Sequence, residues 1–241
     1  MIQDDLIIDV GMHTGLDSEF YLKKGFRVVA IEANPELAAQ TSERLRPYIQ
    51  EGRLKVLNIG MHREDGEFDF YVNLDKDDWS SFVQQVGTRN NSNHKVVKVP
   101  CTTFDKIVAQ HGVPYYLKID IERHDGIVLE FLMKSPEKPK YLSIEAHHIG
   151  YLAYLWVMGY RKFKIVNQSL LWKLKCPNPA LEGNYVDMQF NGHTSGPFGK
   201  ETPGEWKSYE SVIHEFLTEI HTHDGKVLSG NSWFDFHARM D

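Results

Sequence analysis

At 241 residues, 41% of them apolar and 25% charged, the chain is long enough to bury a sizeable core without covalent staples, and its composition is that of an ordinary globular domain. Acidic residues (33) outnumber basic ones (27) for a net charge of −6, which excludes a broad surface for nucleic-acid backbone but leaves room for a local basic pocket. Two cysteines, Cys101 and Cys176, exclude a disulfide framework and a thiolate-built zinc site. The first residues lack a basic segment followed by an apolar one, and no apolar run is long enough to span a bilayer. The expectation is a cytoplasmic protein with neither a membrane nor a nucleic acid as partner.

In chain order, the apolar run Leu6 to Val10, ending in Asp9-Val10-Gly11, reads as a buried parallel strand. A loop follows, then a helix from Ser18 to Lys24 closed by Gly25. Arg27 to Ile31 is a second strand, and Pro35 opens a helical pattern over Glu36 to Tyr48. Leu54 to Ile59 is a third strand. Alternation of this kind predicts a parallel sheet with right-handed crossovers. The rhythm then breaks. Glu67 to Val72 alternates aromatic and polar residues, and Lys95 to Val99 is strand-like. These predict an insertion over about residues 66–100, two antiparallel strands joined by a mobile loop. Helices at Phe104 to Gln110, Gly126 to Met133 and Tyr151 to Met158 then alternate with strands at Tyr115 to Ile121, Tyr141 to Glu145 and Lys162 to Val166. A C-terminal elaboration over about residues 167–241 holds a turn-rich surface loop from Gly192 to Gly204, a helix from Trp206 to Ile220 and a last strand from Trp233 to His237. The expected fold class is α/β: a single domain over 1–241, with a Rossmann-like, mostly parallel sheet flanked by helices and an inserted antiparallel hairpin.

The sharpest motif is Asp9-Val10-Gly11-Met12-His13-Thr14-Gly15, between the first strand and the first helix. Glycines there let the backbone turn tightly and approach a ligand closely. Glu32 ends the second strand, 17 residues after Gly15, near the spacing at which an acid accepts the hydroxyls of a ribose. A dinucleotide site asks for glycine at 11, 13 and 16, where this chain has Gly11, His13 and Leu16. A pyrophosphate needs that close approach, whereas a sulfonium cofactor carries no phosphate and tolerates bulk there. A plain strand–helix turn would explain Gly11 and Gly15 but not Glu32 in register with them.

The segments Ile8-Asp9-Val10-Gly11 with Gly15, Val29-Ala30-Ile31-Glu32-Ala33-Asn34-Pro35 and Leu117-Lys118-Ile119-Asp120-Ile121-Glu122 resemble the FkbM family of methyltransferases. The resemblance runs from residue 6 to about the strand ending at Glu145, and more loosely beyond. It implies a class I methyltransferase fold, S-adenosylmethionine as cofactor, and transfer to a hydroxyl of a polyketide, sugar or similar small metabolite. On this reading Asp9, Gly11, His13 and Gly15 shape the methionine pocket. Glu32 takes the ribose, Ala33 and Asn34 lie beside the adenine, and Asp120 orients the methionine end. Two positions depart from the family's usual pattern, His13 in place of Asn and Arg123 in place of Gly.

Methyl transfer from a sulfonium is an in-line displacement, so the protein must align the nucleophile, exclude water and often remove a proton. Asp120 and Glu122 follow one strand, Glu145, His147 and His148 the next, and adjacency of the two strands brings both sets together. Asp120, Glu122, Glu145 and His147 are therefore the candidate catalytic residues. Asp120 and Glu122 can converge only if the chain turns after Asp120. The same three carboxylates could hold Mg²⁺ or Ca²⁺, although no spacing dictates it, and no metal is predicted. Ser80 and Ser81 sit in a loop able to close over the site. The late histidines His214, His221, His223 and His237 are expected on the solvated surface. Two rivals remain: a nucleotide-dependent oxidoreductase, opposed by the missing glycines, and a methyltransferase-like binding module without catalysis, which Arg123 keeps open.

Overall fold

Leu6, Ile7, Ile8, Asp9 and Val10 are all buried, as a strand covered on both faces requires. Alternate side chains go to opposite sides, Leu6, Ile8 and Val10 to one core and Ile7 to another. The computed structural model describes residues 2–240. In it β1 (Ile2–Val10) is followed by α1 (Leu16–Lys23), β2 (Arg27–Ile31), α2 (Pro35–Arg44), α3 (Arg46–Gln50) and β3 (Leu54–Leu57). Next come β4 (Gly60–Met61), β5 (Gly66–Asn73), α4 (Gln84–Gly87) and β6 (His94–Thr102). The alternation resumes with α5 (Phe104–His111), β7 (Val113–Ile119), α6 (Gly126–Lys134), β8 (Tyr141–Glu145), α7 (Gly150–Val157) and β9 (Lys162–Asn167). Last are α8 (Tyr209–Glu215) and β10 (Phe234–Arg239).

The main sheet has the order β3-β2-β1-β7-β8-β10-β9. All pairings are parallel except those of β10, which runs antiparallel to β8 and β9. The expected α/β class is the one observed. From β1 the chain builds outward to β2 and β3, then returns to lay β7 on the other side of β1. That reversal leaves a crevice beyond the carboxyl ends of β1 and β7, where open α/β sheets bind ligands. The insertion is a three-stranded sheet, β4-β6-β5, whose β5 and β6 are antiparallel as expected. The connection between them, expected as a plain loop, carries α4 and two short 3-10 turns at Asp77–Trp79 and Arg89–Asn91.

Three expectations for the C-terminal part are corrected. The helix expected from Trp206 spans Tyr209–Glu215, started by Ser208, whose Oγ accepts from the backbone N–H of Ser211, and passes into a π-turn over Phe216–Ile220. The segment from Gly192 to Gly204 is not a surface loop, because most of Thr194 to Thr202 is buried. Phe198, fully buried, packs its ring against Phe20, Tyr21, Phe26 and Tyr116. The glycines that suggest a loop serve instead to tuck the chain in. Gly199 has φ +62°, and a Cβ there would meet Glu182 Oε1 at 2.4 Å. His237 is buried in β10 rather than solvated, because β10 lies inside the sheet between β8 and β9.

Candidate active site

The turn after β1 is held by two hydrogen bonds, from the N–H groups of Gly11 and Met12 to the carbonyl of Ile31 on β2, each 3.0 Å. Gly11 has φ +90°, and a Cβ there would lie 1.7 Å from the carbonyl oxygen of Asp120, so no side chain fits. His13 follows with φ +52°, a left-handed conformation uncommon for residues other than glycine, in which Asn, Asp and His are over-represented. Its ring stacks on His193 at 5.7 Å, and Nε2 lies 3.2 Å from Asp77 Oδ1.

Glu32 directly follows β2 and lines a cavity of about 490 Å³, within the range of roughly 300–1,000 Å³ usual for ligand sites. Its two carboxylate oxygens accept the backbone N–H groups of His13 and Asn34, both at 2.7 Å. Burial pushes this carboxyl up to about 7, against the downward pull of those two hydrogen bonds. A carboxylate has about four acceptor sites, so acceptor capacity remains for a ligand's hydroxyls.

Of the residues expected at the cofactor, Gly11, His13, Glu32, Ala33 and Asp120 line this cavity. Asp9, Gly15 and Asn34 stand behind it. Asp9 is fully buried, accepting from Ser18 Oγ at 2.7 Å and lying 3.3 Å from Lys118 Nζ. Gly15, with φ +72°, leads into α1, and Asn34 caps α2 by accepting from the N–H of Glu36. Lys118 ties the floor together. Its Nζ donates to the carbonyl of Gly11 at 3.1 Å and lies within 3.7 Å of Asp9, Asp17 and Asp120. Burial works against its charge, but those carboxylates outweigh burial and hold it well above the usual lysine range.

The four candidate catalytic residues all line the same cavity. β7 stops at Ile119, and the chain turns after Asp120, as convergence requires. Asp125 Oδ1 accepts the N–H of Ile121 at 2.9 Å, and Glu122 and Arg123 take φ +51° and +67°. The turn brings oxygens of Asp120, Glu122 and Glu145 within 4.8 Å of one another. His147 Nε2 is 2.5 Å from Glu145 Oε2, outside hydrogen-bond geometry. Burial, with Glu145 and Asp120 alongside, pushes Glu122 up to about 8. Burial, with Asp120 and Asp125, raises Glu145 well above the carboxylate range, and burial lowers His147. His148 is exposed and accepts the N–H of Gly150 with Nδ1.

Several cavity residues carry no signal in the sequence. Arg89 bonds Glu122 at 3.0 Å while its guanidinium lies over the ring of Trp79 at 4.2 Å. Both come from the β5–β6 connection, as does Ser80 on the cavity wall. Ser81 Oγ donates to the carbonyl of Glu122 at 2.9 Å, so this connection is tied to the catalytic turn. Thr194, Ser195 and Asp235 reach the cavity from the C-terminal part.

A seven-stranded sheet of this order, with one antiparallel strand inside its edge and a carboxylate-rich cavity at the β1–β7 switch, defines a class I methyltransferase fold. The methyltransferase FkbM domain matches residues 9–162, and the chain belongs to that family. Among solved structures it is similar to a methyltransferase FkbM from Methylobacillus flagellatus KT, at 21% identity and TM-score 0.45, over 69% of this chain and 40% of that one. The chain thus spans less than half the length of that relative. It is also similar to a precorrin-6y C5,15-methyltransferase from Geobacter metallireducens GS-15 (10% identity, TM-score 0.42, 100% and 82% of the two chains). A third is a SAM-dependent O-methyltransferase from Thermotoga maritima (9% identity, TM-score 0.39, 99% and 60%). No curated protein matches the chain. No described helix is long and apolar enough to cross a membrane.

Proposed function

We propose that the chain transfers a methyl group from S-adenosylmethionine to a hydroxyl of a small acceptor molecule. One observation carries the reading: a ribose-type acid, Glu32, and a carboxylate–imidazole cluster, Asp120, Glu122, Glu145 and His147, face a single cavity. The residues present fit the cofactor. Gly11 leaves the cavity edge free of a side chain, Glu32 keeps acceptor capacity, and Ala33, Leu37 and Ile59 supply an apolar wall for a base. His13 lines the cavity at a position where a dinucleotide site asks for glycine, which favours a phosphate-free cofactor over NAD.

When bound, S-adenosylmethionine would supply an electrophilic methyl carbon with a neutral thioether as its leaving group. The acceptor's proton goes to the cluster. A free hydroxyl has a pKa far above neutrality, and Glu122 and His147 are acid–base groups placed to take its proton. The inactive-module reading loses ground, because Arg123 occupies the turn without preventing Asp120, Glu122 and Glu145 from meeting.

The test is calorimetry with S-adenosylmethionine, S-adenosylhomocysteine and NAD. The first two should bind and NAD should not. Glu32→Gln, chosen over Ala because Glu32 also holds two buried N–H groups, should weaken binding by about 1.5–3 kcal/mol. Unchanged affinity in a folded variant, or tighter binding of NAD, overturns the reading.

A further inference from the structure

Carboxylates gather at the ends of β7, β8 and β10 faster than cations arrive to balance them. Asp235 on β10 stands directly opposite Glu145 on β8 in the antiparallel register, so the two project from the same face of the sheet. Asp235 is only 9% exposed and lines the cavity. Among the described residues it has neither a hydrogen bond nor an ion pair, and Asp120 and Glu145 are the charges that weigh on it most. Like charges directly opposite across a strand pair are destabilising, and a buried carboxylate without a partner adds a desolvation penalty. Glu145 shares the difficulty in part: its buried Oε2 has no hydrogen bond, and the group facing it, the His147 imidazole at 2.5 Å, is held towards its neutral form by burial. The neighbouring cations are already engaged, Arg89 with Glu122 and Lys118 with Asp9, Asp17 and Asp120. Neither of them pairs with Glu145 or Asp235.

We propose that Asp120, Glu122 and Glu145 bind one hard divalent cation, Mg²⁺ or Mn²⁺, whose charge also offsets the facing carboxylate of Asp235. Their oxygens lie within 4.8 Å of one another, slightly wider than the roughly 4.2 Å that opposite ligands span at a metal–oxygen distance of about 2.1 Å, so a shift of a few tenths of an ångström by each side chain closes the shell. An all-oxygen donor set selects hard ions over zinc or copper. A cation here would sit where the acceptor hydroxyl must come and would lower that hydroxyl's pKa, leaving His147, rather than the coordinated Glu122, to take the proton. This use of the ion rests on the methyltransferase reading, whereas its binding does not.

Mn²⁺ titrated into the full chain without cofactor, followed by electron paramagnetic resonance and calorimetry, tests the site. One ion per chain should bind, with saturation below about 1 mM. Glu145→Gln should weaken binding by about tenfold or more. Asp120→Asn takes its place if that variant does not fold. Asp235→Asn should weaken binding severalfold and, without metal, melt above the parent, because an uncompensated charge is gone. A purely structural Asp235 would give the opposite shift in melting. The proposal is overturned by the absence of saturable binding up to about 10 mM, by unchanged affinity in the variants, or by a lower melting temperature of Asp235→Asn. S-adenosylmethionine binding in the same preparations keeps the two readings apart. Cofactor binding without Mn²⁺ binding removes the metal site alone, and Mn²⁺ binding without cofactor binding removes the methyltransferase reading alone.

Discussion

Arg123 shows how one side chain can sit against its own backbone. With φ +67°, next to Glu122 at +51°, it holds a conformation that costs an L-residue roughly 1–2 kcal/mol and glycine very little. The exposed Arg123 side chain has no described hydrogen bond or ion pair to set against that strain. Arg123→Gly should therefore leave stability unchanged or raise it by up to about 1 kcal/mol in urea denaturation, the gain being trimmed by glycine's larger unfolded-state entropy. A loss of more than about 1 kcal/mol would mean that the arginine holds the turn in place. At this scale the sequence is informative where chemistry and position coincide. Glu32, Asp120, Glu145 and His147 follow recognisable strands, so their convergence is legible. Asp235 is a lone acid in an apolar strand, and nothing local says that this strand slots in beside β8. Arg89 and Trp79 reach the cavity through a connection whose path no periodicity describes.

Among elements, legibility follows periodicity. The parallel strands are continuous apolar runs and the inserted strands alternate, so both classes can be read, with boundaries shifted by a few residues. The stretch between β9 and β10 has no such period. Its course is set by isolated aromatics, Phe190 and Phe198, that pack into the core on the α1 side of the sheet. Its glycines and prolines mimic a solvated loop, and tertiary packing overrides that signal. Phe198→Ala should destabilise the fold by about 3–5 kcal/mol, the cost of truncating a fully buried phenylalanine. A change under about 1 kcal/mol in chemical denaturation would return the segment to the status of a surface loop.

For the whole molecule, the buried carboxylates set how stability responds to pH. Burial leads in raising Asp17 to about 6, Glu32 to about 7 and Glu122 to about 8, each above its unfolded value. The folded state therefore takes up these protons first. Their contribution to stability is present at low pH and is lost as pH rises through the folded values. His237 acts the other way. Burial, with Lys164 opposite it on β9, lowers it to about 3, so its contribution is whole above about pH 6.5 and is lost as pH falls toward 3. The metal- and cofactor-free chain should melt at a higher temperature at pH 6 than at pH 8. Calorimetric scans showing no rise would mean that these carboxylates are ionised in the fold. Replacing His237 with Gln should flatten the acid side of the profile, by on the order of 2–3 kcal/mol between pH 6.5 and 4.5 relative to the parent.

The placement of β10 also bears on how the molecule comes into being. β8 and β9 do not pair with each other; each bonds to β10, whose residues 234–239 are synthesised after every other strand of the described sheet. Until then both strands present open backbone edges, the surfaces through which nascent chains stick to one another. Asp235 arrives on that same closing strand. The half-made sheet is thus both adhesive and short of one active-site charge, and adding this one strand seals the edge and completes the site in a single event.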